Sequence, residues 1–133
     1  MLHIRPVQNK DEQEKLCALC AVEYNPDAMA YAAFDDEIFL GVSQFRIRGE
    51  SGEIYHLRNA IGIDDLEALI IMGRATLNFI DLCDIHSAVI FEREKKIHTI
   101  LGAKERDGAY IIDLAGYFDS PCKNKKNANK KRD

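Results

Sequence analysis

A chain of 133 residues, 47% hydrophobic and 30% charged, is long enough to bury one core and too short for two domains. Its formal charge of −4 is unevenly placed: residues 123–133 hold six Lys/Arg and one Asp, leaving 12 basic against 21 acidic residues in 1–122, and a body at −9 opposes nucleic-acid binding by the folded part. There is no run of 18 or more apolar residues to cross a membrane, and the opening His3, Arg5 and Pro6 is not a charged-then-apolar leader, so a cytoplasmic protein is expected.

His3 to Val7 is short, partly β-branched and interrupted by a proline, which predicts a first strand near a sheet edge. Asn9 or Asp11 can cap the helix that follows; its inward stripe is Leu16, Leu19, Cys20 and Glu23, and it ends before Asn25-Pro26. Only one helix fits in this first connection. Met29 to Phe34 and Ile38 to Arg48 form a hairpin about the polar turn Asp35-Asp36-Glu37, and Glu50-Ser51-Gly52 turns the chain into a third antiparallel strand.

Glu53 to Phe91 reads as one strand–helix–strand unit: a strand over 53–60, a turn around Gly62, a helix from Asp65 to about Asp84 with two adjoining apolar faces, and a strand over 86–91. Two strands joined through a helix lie parallel with a right-handed crossover, so the sheet is mixed. Gly73 sits mid-helix, where it costs about 1 kcal/mol relative to Ala, and close approach to the sheet is the expected offset. Glu92 to Leu101 is a further helix with Ile97, Ile100 and Leu101 inward and Gly102 after its end. Lys104–Arg106 and Ala109–Leu114 close the fold as a hairpin about Asp107-Gly108. The fold class is α/β (mixed α+β), in the order β-α-β-β-β-α-β-α-β-β, with one domain over 1–122 and a basic tail over 123–133 that is too polar to pack.

Cys17 and Cys20 form a CxxC, but inside a helical pattern with no turn beside it, and Cys83 and Cys122 would have to complete a tetrad singly from distant segments. Reduced thiols with no metal are the expectation.

This order of elements resembles the GNAT superfamily of N-acetyltransferases over about residues 2–118. HIRPV is similar to that family's first strand, FDDEIFLGVSQFRI looks like its second and third, and KIHTILGA followed by a hairpin looks like its YEKLGF segment. The resemblance implies a central seven-stranded mixed sheet with helices on both faces. It also implies acetyl-CoA or another acyl-CoA as cofactor, held in a V-shaped opening between the fourth and fifth strands, and a small-molecule or peptide amine as acceptor. The amine would attack directly, without a covalent enzyme intermediate. A homodimer is left open.

By the same resemblance the cofactor would lie along Leu57, Asn59, Ala60, Ile61, Gly62, Ile63, Asp64 and Asp65, with a backbone N–H of residues 57–60 polarising the thioester carbonyl. The family's glycine-rich pyrophosphate loop is missing. AIGIDDLE stands in its place, with one glycine and carboxylates at Asp64, Asp65 and Glu67, and Asp64 with Glu67 reads as a capping box that satisfies the helix's own donors. Candidate catalytic residues are His56 and Glu53, placed with Arg58 on one face of the fourth strand, and His98, which stands where the family has a tyrosine that protonates the leaving thiolate. The ordinary alternatives are a solvated strand face for the first two and a surface histidine for the third. A second reading of the whole chain is a GNAT-fold interaction or ligand-sensing module without acyl-CoA binding.

Overall fold

The computed structural model describes residues 1–118, so the basic segment 123–133 and its expected lack of packing lie outside the described residues. The elements are β1 (Leu2–Pro6), α1 (Lys10–Leu19), β2 (Met29–Asp35), β3 (Ile38–Arg48), β4 (Ser51–Asn59), α2 (Leu66–Leu82), β5 (Ser87–Ile90), α3 (Lys95–Leu101), β6 (Lys104–Arg106) and β7 (Ala109–Asp113). They build a 7-stranded sheet in the order β1-β2-β3-β4-β5-β7-β6. Every neighbouring pair is antiparallel except β4 and β5, which are parallel and joined through α2. This is the predicted mixed sheet.

Alternation along the strands divides the core between the two faces of the sheet. On one face α1 covers Ala30 and Val42 with Cys17 and Cys20. On the other, α2 and α3 cover Phe45, Ile54 and Leu57 with Leu69, Met72, Leu77, Ile80, Ile97 and Leu101. Both CxxC sulfurs are thus packing groups, and burial pushes the Cys17 and Cys20 thiols up to about 11 and about 12.

Asn9 caps α1 by accepting from the Glu12 amide at 2.7 Å. The buried stripe of α1 differs from the predicted one: Gln13, Leu16, Cys17 and Cys20 turn inward, while Leu19 is 54% exposed and Glu23 is exposed. A buried glutamine sets this face, and hydropathy alone cannot select one. The capping box is also corrected. Asp65, not Asp64, is the N-cap of α2, accepting from the Ala68 amide at 3.0 Å, and Asp64 is exposed. The last helix begins at Lys95, three residues later than expected, because Glu92 is drawn into the protein interior. Gly102 ends it with φ 76°, the left-handed C-cap that its position predicts. At the Asp107-Gly108 turn both residues have positive φ, 54° and 84°, as a tight two-residue hairpin requires.

Gly73 lets α2 approach two neighbours at once. A Cβ there would lie 2.7 Å from Leu101 Cδ2 of α3 and 3.0 Å from Leu57 Cδ2 of β4, so the offset to its helix cost comes from α3 as well as from the sheet. Both contacts are ends of flexible side chains, which can yield to one methyl but not to a branched chain. Gly73→Leu is therefore expected to destabilise the fold by roughly 1–3 kcal/mol, read as a lowered Tm. An unchanged Tm would remove the packing argument.

Candidate functional site: an opened seam between two parallel strands

β4 carries one residue more than β3. Gln44 pairs with His56 while Phe45 pairs with Ile54, leaving Tyr55 as a bulge. The extra residue decides which side chains share a face. Glu53 and His56 are three apart and would point to opposite faces of a regular strand; with the bulge between them both lie on the α1 face, together with Arg58, as the sequence reading placed them. Ile54 and Leu57 correspondingly both face α2.

The bulge also marks where β4 leaves β5. The two strands pair only over Gly52–Ile54 against Ala88–Ile90, and the Phe91 amide makes the last bond, to the Ile54 carbonyl at 2.7 Å. Beyond this point β4 runs on to Asn59 with no described strand on its β5 side. A seam opened in the middle of a sheet presents backbone donors and acceptors that must find partners.

A side chain that the sequence reading did not single out supplies one. Glu92, two residues past β5, turns its carboxylate into the opening, where the side chain is 0% exposed. Oε1 accepts from the Leu57 amide at 3.1 Å; Oε2 accepts from the Arg58 guanidinium at 2.5 Å and from the Arg93 and Glu94 amides at 2.9 and 3.2 Å. Burial alone would raise the Glu92 pKa, but the bonds from Arg58, Leu57 and Glu94 outweigh it and hold the carboxyl below its ordinary range. Its position among Arg93, Glu94, Lys95 and Lys96 suggests a solvated run, which is why composition did not reveal it.

On the α1 face, Gln44 organises the other half of the site. It is fully buried, and its orientation is fixed by backbone: Oε1 accepts from the Asn25 amide at 3.0 Å and Nε2 donates to the Glu23 carbonyl at 2.8 Å. Gln13 donates to the same Oε1 at 2.9 Å. The remaining Nε2 proton is directed at His56 Nδ1, 2.8 Å away, so that nitrogen accepts and the ring carries its proton on Nε2. Burial foremost, and Arg58 after it, lower the His56 pKa, against an opposing pull from Glu92 and Glu23.

His56 lines a cleft of about 440 Å³ with Glu23, Tyr24, Tyr55, Phe91 and Arg93. Tyr55 stacks on Phe91, with ring centroids 5.7 Å apart, and its hydroxyl donates to Glu53, which brings that carboxylate to the edge of the cleft. Burial and this bond push the Tyr55 phenol up to about 12.

The remaining candidates lie elsewhere. The loop over 60–65 is tied down by its own chain: the Ala60 amide donates to Leu40, that of Ile61 to Leu19 and that of Ile63 to Ala60. Asn59 clasps Asp65, accepting from its amide at 3.1 Å and donating to its carbonyl at 3.2 Å. Ile61 is 73% exposed and Gly62 holds φ 87°. An anion arriving here would meet the first turn of α2 flanked by Asp64, Asp65 and Glu67. His98 is buried rather than on the surface. Its Nε2 donates to the Glu92 carbonyl at 2.6 Å, its ring stacks on Tyr110 at 3.8 Å, and Nδ1 has no partner among the described residues. It braces the segment that delivers Glu92, and it is not brought together with His56 and Glu53.

A mixed sheet parted at its parallel pair, with a helix starting beside the opening, defines the class of domain. Among solved structures it has counterparts. A spermidine/spermine N-acetyltransferase, SpeG of Vibrio cholerae, superposes with a TM-score of 0.67 at 12% identity over 90% of this chain and 98% of that one. An acetyltransferase of Bacillus subtilis in complex with CoA gives 0.60 at 14% identity over 86% and 99%, and the PaiA N-acetyltransferase of Thermoplasma acidophilum in complex with coenzyme A gives 0.61 at 12% over 84% and 96%. No protein-family model matches the chain, and no curated protein sequence matches it significantly. The chain has the GNAT fold.

The two histidines with resolved shifts move in opposite directions. His86, bonded to Asp81 and Asp84, is raised, whereas His56 is lowered from its ordinary 6.5. Protonating His56 is harder in the folded chain than in the unfolded one, so its contribution to stability is complete above about 6.5 and is withdrawn as the pH falls below that value toward its folded pKa. An NMR titration is expected to show His56 titrating below 6.5, as the Nε2–H tautomer, and His86 above it. His56 titrating at or above His86 would contradict the Gln44 arrangement.

Proposed function

We propose that this chain transfers an acyl group from acyl-CoA to an amine, acetyl-CoA being the first donor to test. The observation that carries the reading is the opening beyond the Tyr55 bulge: β4 continues without β5 beside it, so an extended chain bearing amides can lie along its free edge, as a further strand would. A thioester carbonyl at the end of such a chain comes within reach of the Leu57 amide, which supplies the polarising donor.

The acceptor amine enters from the cleft on the α1 face. Glu23 and Glu53 attract it as an ammonium, and a proton passes from it to carboxylate or water before the neutral nitrogen attacks. His56 lines the path with Nε2–H as a donor, so its part is to orient groups rather than to take the proton. As the new C–N bond forms and the C–S bond breaks, the nitrogen gives up its second proton to water and the thiolate takes one up from water, so the step ends in a neutral amide and free CoA thiol. His98, whose Nε2 proton is committed to the Glu92 carbonyl, serves as a brace.

The small amines acted on by neighbours such as SpeG make spermidine and spermine sensible first acceptors in a panel that also holds amino-terminal peptides. Release of CoA that depends on the amine, with the mass of one acetyl group gained by the acceptor, is the expected result, and Glu53→Gln should lower kcat. No release with any acceptor, together with no acetyl-CoA binding by calorimetry, would leave the interaction or ligand-sensing module as the reading that stands. The tied-down loop and acidic helix start favour that alternative.

The same helix start gives a separate test. Asp64→Asn with Glu67→Gln removes two exposed charges that oppose a diphosphate while keeping the Asp65 cap, and is expected to tighten acetyl-CoA by about tenfold or more at low salt. Unchanged affinity would show that the cofactor's phosphates do not approach α2.

A further inference from the structure

We infer that Glu92 is a built-in stopper for the opening between β4 and β5, so that acyl-CoA binds only by displacing this carboxylate from the seam. The inference rests on the acyl-transfer reading and adds a regulation of the same site. Three observations carry it. The Glu92 side chain is 0% exposed although its neighbours Arg93, Glu94 and Lys95 are all exposed, so it has been turned inward against the character of its segment. Its Oε1 takes the Leu57 amide, the donor that an acyl carbonyl would need, and its Oε2 takes three further donors, two of them amides of its own turn. Its backbone carbonyl is held from behind by His98, which is fixed against Tyr110.

A carboxylate is a close chemical stand-in for a polarised carbonyl oxygen, and four donors converging on it form a satisfied buried anion. The structure is therefore the closed state of the seam. The turn that carries Glu92 is a short non-helical link between β5 and α3, with the Arg93 and Glu94 side chains in solvent, so rotation of this link can withdraw the carboxylate without unfolding either element. Arg58 is the fourth group affected: it is 37% exposed, its Nη2 pairs with Glu92, and its buried Nε has no partner among the described residues.

The test is acetyl-CoA affinity by calorimetry for the wild type, Glu92→Ala and Glu92→Gln, with thermal melts to confirm folding. Displacing bonds to a charged group is costly, so Glu92→Ala is expected to bind about tenfold to a hundredfold more tightly than the wild type, with Glu92→Gln between them. Should Glu92→Ala not fold, Glu92→Gln, which keeps the volume and removes the charge, carries the comparison alone. Glu92→Ala combined with Arg58→Gln separates clearance of the seam from release of a cation: the gain must persist in the double variant, and its disappearance would overturn the stopper.

Equal affinity of wild type and variants, with amine-dependent CoA release by the wild type, would overturn the stopper and leave acyl transfer standing. Tight binding by the variants without release of CoA in the presence of any amine would support the stopper and remove the transfer reading. No binding by any folded variant would overturn both.

Discussion

One extra residue in β4 governs the centre of this molecule. Without the bulge at Tyr55, β4 would alternate regularly from Ser51 to Asn59, His56 would point into the α2 face where Leu57 now packs, and the strand could stay in register with β5. With it, Ile54 and Leu57 both serve the larger core, Glu53, His56 and Arg58 gather on the opposite face, and the parallel pairing ends after three residues. A bulge strengthens local twist, and here the twist falls where the parallel pair has to part.

The parted seam creates a polar problem on one edge of β4. Buried backbone groups need partners, and β4 past the bulge has lost them on one edge. Glu92 answers on the β5 side with a carboxylate. On the α1 face, where β4 keeps its ladder with β3, Gln44 forms a second buried polar centre, an amide whose four bonds join α1, the 20–28 connection and His56 into one network. The two centres differ in permanence. Gln44 is held by a backbone amide and a backbone carbonyl of the 20–28 connection and by the Gln13 side chain of α1, none of which moves with it, whereas two of the amides holding Glu92 belong to its own turn and move with it.

Much of the fold was legible in the sequence because it is written in period and punctuation. The order of elements, the mixed sheet, the Asp-Gly turn, the Gly102 cap and the single helix of the first connection all follow from local signals. The helix faces were less secure: α1 is rotated because Gln13 and Cys17 are inward and Leu19 is outward, and a buried glutamine is selected only by the partners it finds across the sheet. The candidate site was legible in part. His56, Glu53 and Leu57 were singled out, and their placement depended on a bulge that no residue type announces. Glu92 was invisible, since one charged residue among five in a row gives no sign that it alone is buried. Asp64 and Asp65 are adjacent and chemically alike, so which of them caps α2 is settled by backbone geometry rather than composition.

The two ends of the sheet set how this domain can meet another copy of itself. β6 is three residues long and wholly charged and exposed, Lys104, Glu105 and Arg106, while β1 carries Arg5 and Pro6 and runs out after five residues. A neighbouring strand seeking to continue the ladder would have to desolvate those charges at one margin and accept a missing donor at the other. Association through a shared, continuous sheet is thereby discouraged at these two edges. At high concentration the same charged margins act against fibrillar growth, a safeguard of some value to a chain whose central sheet is already opened along one line.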